Sequence, residues 1–428
     1  MTKVIIPITP VYGHVAPMLS IAKDLIRRGH EITIITGSQF KEAVEKTGAA
    51  FVSFTGAADW QPEDLNDPER LAYEGVAQVN YDMQRYFVNT IPDQYAALQH
   101  ELEKYGDDEA IVLAESFGFA LSPALLGAPG VRAKGYAVVG VIPLAISSID
   151  TAPFGMGLEP DSSEEGRARN ISHNALMKDN LFGGAQKLYE KVLRELGATE
   201  EIPYLFDTCA RADSYLQLSV EELSYKRSDL PASVRFIGAL PTPPSVDAKL
   251  PDWWSDVLAA DKVVVVTQGT VANGDFSHLI EPTLAALADL PVLVIAATGS
   301  KNEVKHVPAN ARVVEFVPFV DLLPHTNVLV TNGGFGGTQQ ALSFGVPMVL
   351  AGVSEDKIEG NARTAHTGAA INLKTHQPTP EAIREAVENV LAKPNYLANA
   401  QRLQAEYAAL DPYTSIANAI AELDAKSQ

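Results

Sequence analysis

The sequence of 428 residues predicts an α/β protein in which two doubly wound domains follow each other along the chain. Three observations lead to this expectation. An apolar run at residues 4–8 enters a Gly/Pro turn and a helix, a second apolar run at 263–267 opens another series of strands and helices, and a Pro-dense segment at 231–251 separates the two series. The length also fits two or three domains better than one.

The first half is expected to form an open parallel sheet. After the strand at 4–8, apolar residues keep helical spacing from Leu19 to Ile26, and Gly29 ends that helix before a second strand at 32–35. Parallel strands need such a helical crossover, so these residues form one βαβ unit. Further strands are predicted at 50–54, 111–114 and 136–141.

Two segments of the first half depart from the alternation of strands and helices. Residues 60–108 are polar and aromatic, which predicts an inserted helical region. Segment 150–185 contains several glycines and has weak periodicity, which predicts a mobile loop or lid.

The second half is predicted to be a second doubly wound domain. Residues 263–267 are almost continuously apolar and β-branched, as expected for a parallel strand that helices cover on both faces. The other predicted strands are 292–297, 313–316, 328–331, 348–350 and 370–373. Helices are predicted in the tail at 380–391, 396–409 and 412–425.

Composition limits the classes of partner and compartment. Asp and Glu number 53 against 33 Lys and Arg, a formal net charge of −20, so the surface field repels nucleic acid and anionic lipid. The single cysteine, Cys209, cannot form an intramolecular disulfide, which favours a reducing compartment. No apolar run approaches the ~20 residues of a bilayer span, and the opening residues are too polar for a secretory signal. We therefore expect a cytoplasmic protein without stable membrane insertion.

Two polar side chains follow predicted strands of the first half. His14 lies at the turn into the first helix, where its neutral imidazole could take a proton near pH 7. Glu115 follows the strand at 111–114 and could hydrogen-bond to the far ring nitrogen of His14 if the two strands are neighbours. Each residue also has a purely structural explanation, because His14 could pack or cap the first helix and Glu115 could cap the next one.

A glycine-rich segment at 331–340 leaves a predicted buried strand and enters a helix. Glycines let the main chain approach a ligand closely, and the helix N-terminus offers free N–H groups to a phosphate. The segment is neither a GxGxxG fingerprint nor a Walker A loop. A tight turn would explain one or two of its four glycines, so we expect an anion site. The sequence contains no HExxH, GxSxG, paired CxxC or DxD motif, which favours chemistry without a metal ion.

Taken together, these motifs resemble the inverting, family 1 nucleotide-sugar glycosyltransferases of the GT-B fold. The N-terminal similarity lies in Gly13-His14-x-x-Pro17 and segment 28–33, and the C-terminal similarity runs from 312–318 through the glycine-rich segment to 345–348. The resemblance extends over nearly the whole chain. It implies an α/β protein with two doubly wound, Rossmann-like domains that face each other across a cleft.

The resemblance assigns the catalytic roles. His14 matches the family's general base, and Glu115 stands where the family has the acidic residue that supports it. The implied reaction is a single displacement, in which an acceptor hydroxyl loses its proton to His14 and attacks the anomeric carbon opposite the nucleoside diphosphate. No cofactor is implied beyond the UDP-sugar co-substrate, and no metal.

The resemblance also implies a donor site. Phe316 stands where an aromatic ring stacks on the uracil, whereas Asn332, Gly337 and Gln340 replace the usual His, Ser and Glu. The pair Asp356-Lys357 stands where the family has an acidic residue and a Gln that touch the sugar hydroxyls. The complete set of implied donor contacts is Gly13, Gln268, Gly269, Thr270, Phe316, Val317, Asn332, Gly333, Gly334, Gly336, Gly337, Gln340, Asp356 and Lys357.

The expected partners are a UDP-sugar, most directly UDP-glucose, and an apolar or glycolipid acceptor. Aromatic residues in 60–105, together with Phe154, Met156, Leu158 and Leu181, offer an apolar acceptor surface. Two other functions stay open at this point: a sugar-nucleotide epimerase on the same fold, and a catalytically silent homologue that binds a nucleotide sugar and regulates a partner.

We divide the chain accordingly. Residues 1–230 form the acceptor-binding Rossmann-like domain, 231–251 the Pro-rich interdomain linker, and 252–410 the nucleotide-sugar-binding Rossmann-like domain. Residues 411–428 form a C-terminal helix that could pack back on the N-terminal domain.

Overall fold

The protein contains two parallel β-sheets. The structure is a computed structural model that describes residues 1–73, 75–241, 250–269 and 274–426. The strands are β1 (Lys3–Pro7), β2 (Glu31–Thr36), β3 (Ala50–Ser53), β4 (Ala110–Glu115), β5 (Gly135–Gly140), β6 (Ser214–Gln217), β7 (Val234–Phe236), β8 (Val263–Thr267), β9 (Leu293–Ala297), β10 (Ala311–Val314), β11 (Val328–Thr331), β12 (Met348–Leu350) and β13 (Ala370–Asn372).

Helices connect these strands. The α-helices are α1 (Tyr12–Arg27), α2 (Lys41–Glu45), α3 (Pro68–Leu71), α4 (Gly75–Asp82), α5 (Ile91–Glu103), α6 (Ser122–Leu125), α7 (Glu164–Leu176), α8 (Gly183–Glu195), α9 (Trp254–Ala259), α10 (Ile280–Leu287), α11 (Phe319–Leu322), α12 (Phe335–Ser343), α13 (Lys357–His366), α14 (Pro380–Ala392), α15 (Pro394–Ala408) and α16 (Pro412–Ala425). Short 3₁₀ turns lie at Ser38–Phe40, Gly56–Ala58, Pro62–Asn66, Phe119–Leu121, Thr208–Arg211, Glu221–Ser224 and Leu323–His325, and π-helical turns at Met83–Val88 and Met177–Leu181.

The first sheet has seven parallel strands in the order β3-β2-β1-β4-β5-β6-β7. The chain runs outwards from β1 in one direction and then restarts from β4 in the other. The connections therefore diverge between the carboxyl ends of β1 and β4, which is where ligands bind in open α/β sheets.

The second sheet has six parallel strands in the order β10-β9-β8-β11-β12-β13. Its connections diverge between β8 and β11, and the loops that leave these two strands are the ones predicted to hold a diphosphate. The four valines of β8 are buried, as expected for a central strand with helices on both faces.

Each sheet has an apolar core on both faces. Helices α1 and α16 cover one face of the first sheet, and α5 covers the other. In the second sheet, α12 and α15 cover one face and α10 and α14 the other. Burial of these apolar faces is the main driving force for folding of both domains.

Several sequence-based expectations for the first half are corrected by the structure. Segment 150–185 is not a loop throughout, because α7 begins at Glu164 and is followed by the turn Met177–Leu181. The side chain of Ser163 caps α7 by accepting a hydrogen bond from the N–H of Gly166, with two acidic residues in the first turn. Two strands, β6 and β7, were not predicted.

The segment predicted as a linker begins inside the first sheet. β7 lies within 231–251 and pairs with β6. Residues 242–249 of that segment lie outside the described residues.

Helix α16 returns to the first sheet after the chain has completed the second. Its residues Ile416, Ile420 and Leu423 are buried in the apolar core that α16 forms with α1 and with strands β4, β5 and β6. At the end of α16, Asp424 accepts hydrogen bonds from Lys134 and Thr2. The first domain is therefore built from two distant parts of the chain.

No helix in the described part of the chain combines the length and apolar character that a bilayer span requires.

Replacing Leu423 by alanine is expected to destabilise the protein by ~2–5 kcal/mol, the usual cost of such a core truncation. Leu423 is 2% exposed, and its Cδ2 would lie 2.8 Å from a Cβ placed on Gly135. Denaturant unfolding measures the change. The matched control is Leu397→Ala in α15, because Leu397 is 46% exposed and should shift stability by no more than ~0.5 kcal/mol. Equal stabilities of the two variants would contradict the docking of α16.

Candidate active site

His14 and Glu115 come together at the point where the connections of the first sheet diverge. His14 is the third residue of α1, which follows β1, and Glu115 is the last residue of β4. β1 and β4 are parallel neighbours, paired from Lys3 with Ala110 to Ile5 with Val112. The two side chains therefore leave adjacent strand ends.

The two side chains form a buried hydrogen bond. Nδ1 of His14 lies 2.7 Å from Oε2 of Glu115. The same oxygen accepts from the N–H of Phe117 at 2.7 Å, and Oε1 accepts from the N–H of Thr9 at 3.4 Å. The carboxylate is 0% exposed and the imidazole 13%. With the proton of the neutral ring on Nδ1, the other nitrogen, Nε2, is left as an acceptor, and within the described part of the chain it has no hydrogen-bond partner.

The hydrogen bond between His14 and Glu115 shifts both pKa values in the direction that favours a protonated imidazole beside an ionised carboxylate. Burial alone would lower the pKa of His14, but the charge and hydrogen bond of Glu115, helped by Asp356, raise that pKa above its ordinary value. Burial would raise the pKa of Glu115, but His14 and the N–H of Phe117 lower it overall. Glu115 is therefore an ionised carboxylate, and the imidazole is a stronger base than a free histidine.

The glycines of the predicted anion site differ in what the fold requires of them. Gly333 has φ of +85°, and a Cβ there would lie 1.7 Å from Oδ1 of Asn361, so packing alone excludes other residues. Cβ atoms on Gly334, Gly336 and Gly337 would meet no heavy atom within 4 Å among the described residues. Gly334 is the N-cap of α12, a position that tolerates glycine, but Gly336 and Gly337 lie in the first turn, where each costs helix stability and nothing in the packing of the described residues explains them. Close approach by a ligand would explain them.

The side chains of Asn332 and Gln268 are both engaged within the second domain. Nδ2 of Asn332 donates to the main-chain oxygen of Gln268 at 2.6 Å. Oε1 of Gln268 accepts from the N–H groups of Leu279 at 3.2 Å and Ile280 at 3.1 Å, at the start of α10. A contact from Gln268 to a donor would therefore come from its main chain.

The other residues predicted to contact the donor differ in their conformation and exposure. Gly269 has φ of +73°, a left-handed conformation that favours glycine. Thr270 lies outside the described residues. Gln340 is half-buried on α12, and a Cβ on Gly13 would face open space within the described chain.

Phe316 and Val317 follow β10 and point in different directions. The ring of Phe316 is 74% exposed, unusual for a large apolar side chain and suited to stacking on a planar ligand. Val317 is 1% exposed and packs in the core against the second sheet. Val317 could reach a donor only through its main chain.

Asp356 lies between the second sheet and α13, facing the first domain. Burial raises the pKa of Asp356, while the positive charges of Lys357 and His14 oppose that shift. Asp356 in turn helps to raise the pKa of His14, so the two side chains are electrostatically coupled across the cleft. Lys357 is only 8% exposed and forms an ion pair with Glu355. Its ammonium group is therefore already paired with a carboxylate.

An aromatic cluster beside His14 includes residues that sequence reasoning missed. The ring of Phe117 lies 5.6 Å from that of His14 and 5.5 Å from those of Phe87 and Phe206. Phe154, predicted to offer acceptor surface, lies 6.0 Å from Phe206. Phe117 could have been found from its position two residues after Glu115, whereas Phe206 carries no local signal.

Asn361 was also missed, although it holds the glycine-rich segment in place. Its Nδ2 donates to the main-chain oxygens of Asn332 at 3.2 Å and Gly352 at 3.0 Å. It lies on α13, so it ties that helix to the predicted anion site. A polar residue on a helix gives no sequence signal for such a contact.

The described residues contain no group of three or more His, Cys, Asp or Glu side chains that could hold a metal ion.

The chain is similar to known proteins over nearly its whole length. The chain is 40% identical over 440 residues to UDP-glycosyltransferase 2 of Phaeomoniella chlamydospora, covering 99% of this chain and 96% of that protein. The chain belongs to the UDP-glycosyltransferases. It is also 37% identical to UDP-glucosyltransferase A1 of Starmerella bombicola, over 93% of this chain and 87% of that one. The family resemblance and the enzyme class expected from the sequence, a UDP-dependent glycosyltransferase, are thereby confirmed.

Family models and a solved structure match this UDP-glycosyltransferase in both halves. Residues 12–137 match the glycosyltransferase family 28 N-terminal domain, and 281–423 match the erythromycin biosynthesis protein CIII-like C-terminal domain. The glycotransferase of kitacinnamycin has a TM-score of 0.74 at 22% identity, with 99% of both chains covered. This likeness confirms the predicted GT-B fold.

Alanine substitutions separate the two kinds of glycine. Gly333→Ala should lower stability by roughly 1–3 kcal/mol, because its Cβ would collide with Asn361 at a left-handed φ. Gly336→Ala faces open space in the first turn of α12 and should keep or raise stability by up to ~1 kcal/mol. Thermal unfolding tests both expectations.

The same pair tests the anion site by calorimetric titration with UDP. If a diphosphate approaches this turn, Gly336→Ala should weaken UDP binding despite its intact stability. Wild-type UDP affinity in Gly336→Ala would contradict the placement of the diphosphate.

Proposed function

We propose that this UDP-glycosyltransferase transfers glucose from UDP-glucose to a hydroxyl of an apolar small molecule or glycolipid, with inversion at the anomeric carbon. His14 acts as the general base and Glu115 supports it. The observation that carries this proposal is the 2.7 Å hydrogen bond from His14 to the buried Glu115, which leaves Nε2 as the basic nitrogen. A protein that only binds a nucleotide sugar has no need of such a pair.

The reaction is a single displacement. Nε2 of His14 takes the proton of the acceptor hydroxyl as its oxygen attacks the anomeric carbon. The bond from that carbon to the diphosphate oxygen breaks, and UDP leaves with the electron pair from the opposite face. Glu115 stabilises the imidazolium that forms, by charge and by its hydrogen bond.

The donor is held by the second domain. The N–H groups at the start of α12, next to the open Gly334, Gly336 and Gly337, receive the diphosphate, and the helix dipole favours its negative charge. The exposed ring of Phe316 stacks on the uracil, and Asp356 accepts from the sugar hydroxyls. No metal ion is required in this proposal, because the sequence has no DxD motif and the N–H groups meet the leaving-group charge.

Two observations support the choice of substrates. The names of these two related proteins specify UDP and, for UDP-glucosyltransferase A1, glucose. The aromatic cluster of Phe87, Phe117, Phe154 and Phe206 beside His14 provides apolar surface for the acceptor.

The test is a matrix of nucleotide sugars against acceptor classes, scored by UDP release and by product mass. Flavonoids, sterols, macrolides and hydroxy-fatty-acid glycolipids cover the acceptor range, and UDP-glucose is compared with UDP-galactose and dTDP-glucose. We expect acceptor-dependent UDP release that is greatest with UDP-glucose. A change of the sugar without any acceptor would indicate an epimerase, and binding without turnover a silent homologue.

His14→Ala should lower turnover by ~10²- to 10⁴-fold, the usual contribution of a positioned base. UDP affinity should not change, because the diphosphate site lies in the other domain. His100→Ala is the control, because His100 is exposed on α5 and far along the chain from these loops. Undiminished turnover of His14→Ala would exclude the proposed mechanism.

The pH dependence tests the role of Glu115. A general base must be neutral, so kcat/KM should rise with pH, with a midpoint above the ordinary imidazole value of about 6.5 because Glu115 outweighs burial in setting the pKa of His14. In Glu115→Gln that charge is lost, burial prevails, and the midpoint should move to lower pH while turnover at the plateau falls. Glu45→Gln removes an exposed carboxylate and should leave the profile unchanged. An unshifted midpoint in Glu115→Gln would contradict the pairing.

Asp356→Ala separates sugar recognition from diphosphate recognition. A lost hydrogen bond from sugar hydroxyls to a carboxylate costs ~1.5–3 kcal/mol, so UDP-glucose should bind roughly tenfold or more weakly. UDP has no sugar hydroxyls of this kind and should bind as it does to the wild type. Calorimetric titration with both ligands provides the measurement, and parallel losses for UDP and UDP-glucose would place Asp356 elsewhere.

A further inference from the structure

Helix α13 belongs to the second domain, but one of its faces is bonded to the first. Glu359, Arg363 and His366 lie on that face at helical spacing. They contact a loop of the first domain, residues 143–160, which we call the acceptor loop because it carries Phe154 and Met156. His366 pairs with Glu159 in that loop.

Glu359 is the centre of this contact. Its side chain is 3% exposed. Oε1 accepts from Nε of Arg363 at 2.8 Å, within the same helix. Oε2 accepts from two N–H groups of the acceptor loop, those of Gly155 at 3.2 Å and Gly157 at 3.0 Å. One buried carboxylate therefore joins a cation of the second domain to the main chain of the first.

Arg363 completes the connection from the other side of the ion pair. Its Nη2 donates to the main-chain oxygen of Leu144 at 2.9 Å, at the start of the acceptor loop. Its guanidinium lies 5.5 Å from the ring of Tyr225, a buried residue with the unusual φ of +58°. Such backbone strain in a non-glycine residue persists only where its surroundings impose it.

The acceptor loop approaches α13 so closely that a side chain would not fit. Gly157 has φ of +60°, and a Cβ there would lie 2.7 Å from the main-chain oxygen of Ile358. Glycine at this position is what allows the N–H groups to reach Glu359.

The contact lies between the two substrates of the proposed reaction. α13 begins directly after Asp356, which the proposed function assigns to the donor sugar. The acceptor loop carries Met156, which packs against the same buried cluster as Phe87 and Phe117, and Phe154, whose ring lies 6.0 Å from that of Phe206. A shift of α13 against this loop would therefore move the sugar relative to the acceptor surface.

We propose that Glu359 is a positioning residue that fixes the donor sugar relative to the acceptor hydroxyl by clamping α13 to the acceptor loop. This inference rests on the proposed function, since it concerns alignment for that transfer. A loosened clamp misaligns the acceptor and lets water take its place, so part of the UDP-sugar is hydrolysed instead of transferred.

Two variants loosen the clamp by different means. Glu359→Gln keeps the shape of the side chain but loses the charge that Arg363 requires. Gly157→Ala leaves the ion pair intact and pushes the loop away from Ile358. The second variant is needed because Glu359 also neutralises a buried region that contains Arg227, whose pKa is lowered to about 9 by burial and by Arg363. Gly106→Ala controls for alanine at positive φ, since Gly106 has φ of +93° with open space around it among the described residues.

The main readout is glycosylated product formed per UDP released, because this ratio does not depend on the fraction of folded enzyme. We expect both clamp variants to lower the ratio, to lower kcat for transfer by ~10- to 10²-fold and to raise KM for the acceptor, as misplacement by about 1 Å would do. UDP affinity should be unchanged, because Asn361 keeps the diphosphate loop attached to α13 whether or not that helix is clamped to the acceptor loop. Gly106→Ala should match the wild type.

Hydrogen exchange gives a second readout that does not need turnover. The amides of residues 150–160 should exchange faster in Gly157→Ala than in the wild type or Gly106→Ala. The role of Glu359 would be overturned, even with the proposed function intact, if both clamp variants matched the wild type in three quantities. These are the product formed per UDP released, the KM for the acceptor and the hydrogen exchange of residues 150–160. If Gly157→Ala exchanges faster but the wild-type enzyme transfers sugar to no acceptor, the contact between α13 and the acceptor loop is supported. Both the proposed transfer and the positioning role of Glu359 would then be excluded.

Discussion

The geometry of the cleft depends on one helix, α13, which is hydrogen-bonded both to the glycine-rich segment of the second domain and to the acceptor loop of the first. Asn361 on α13 holds the main chain of the glycine-rich segment, and Asp356 immediately precedes its first turn. On its opposite side the Glu359–Arg363 pair is bonded to the first domain. Because one rigid element carries all these contacts, the separation of the two sheets and the position of the predicted sugar site are set together.

Two buried carboxylates, Glu115 and Glu359, are stabilised in the same way on opposite sides of the cleft. Each is hydrogen-bonded to a cationic or protonatable side chain, His14 or Arg363, and each also accepts hydrogen bonds from main-chain N–H groups. A carboxylate without such partners would be neutralised by burial. Glu115 raises the basicity of His14, whereas Glu359 joins the second domain to the first.

The features that could be predicted from the sequence are those with a local pattern. Strands of the second sheet are buried on both faces, so they appear as continuous apolar runs, and β8, β11 and β12 have the predicted bounds. β6 and β7 are short and carry polar or charged residues such as Gln217 and Arg235, which hide them. The start of α7 was missed because its polar residues resemble a loop, although Ser163 and the following acidic residues are a cap signal.

In the candidate site, too, the residues with a local sequence pattern could be predicted and the others could not. His14, Glu115 and the glycine-rich segment could be found because each follows a recognisable strand. Asn361, Glu359 and Phe206 could not, because their importance comes from partners far away in sequence, such as Asn332, Gly157 and Phe117. Only the folded arrangement brings these residues together.

The return of α16 to the first sheet has a consequence for biosynthesis. Residues 412–425 leave the ribosome only after the whole second sheet has been made, so until then the first sheet lacks part of the cover for Leu113, Val139 and their neighbours on β4 to β6. Contacts of such long sequence separation are slow to form, and uncovered apolar surface is prone to aggregation. The native core of the first domain can therefore be completed only after the second domain has been translated.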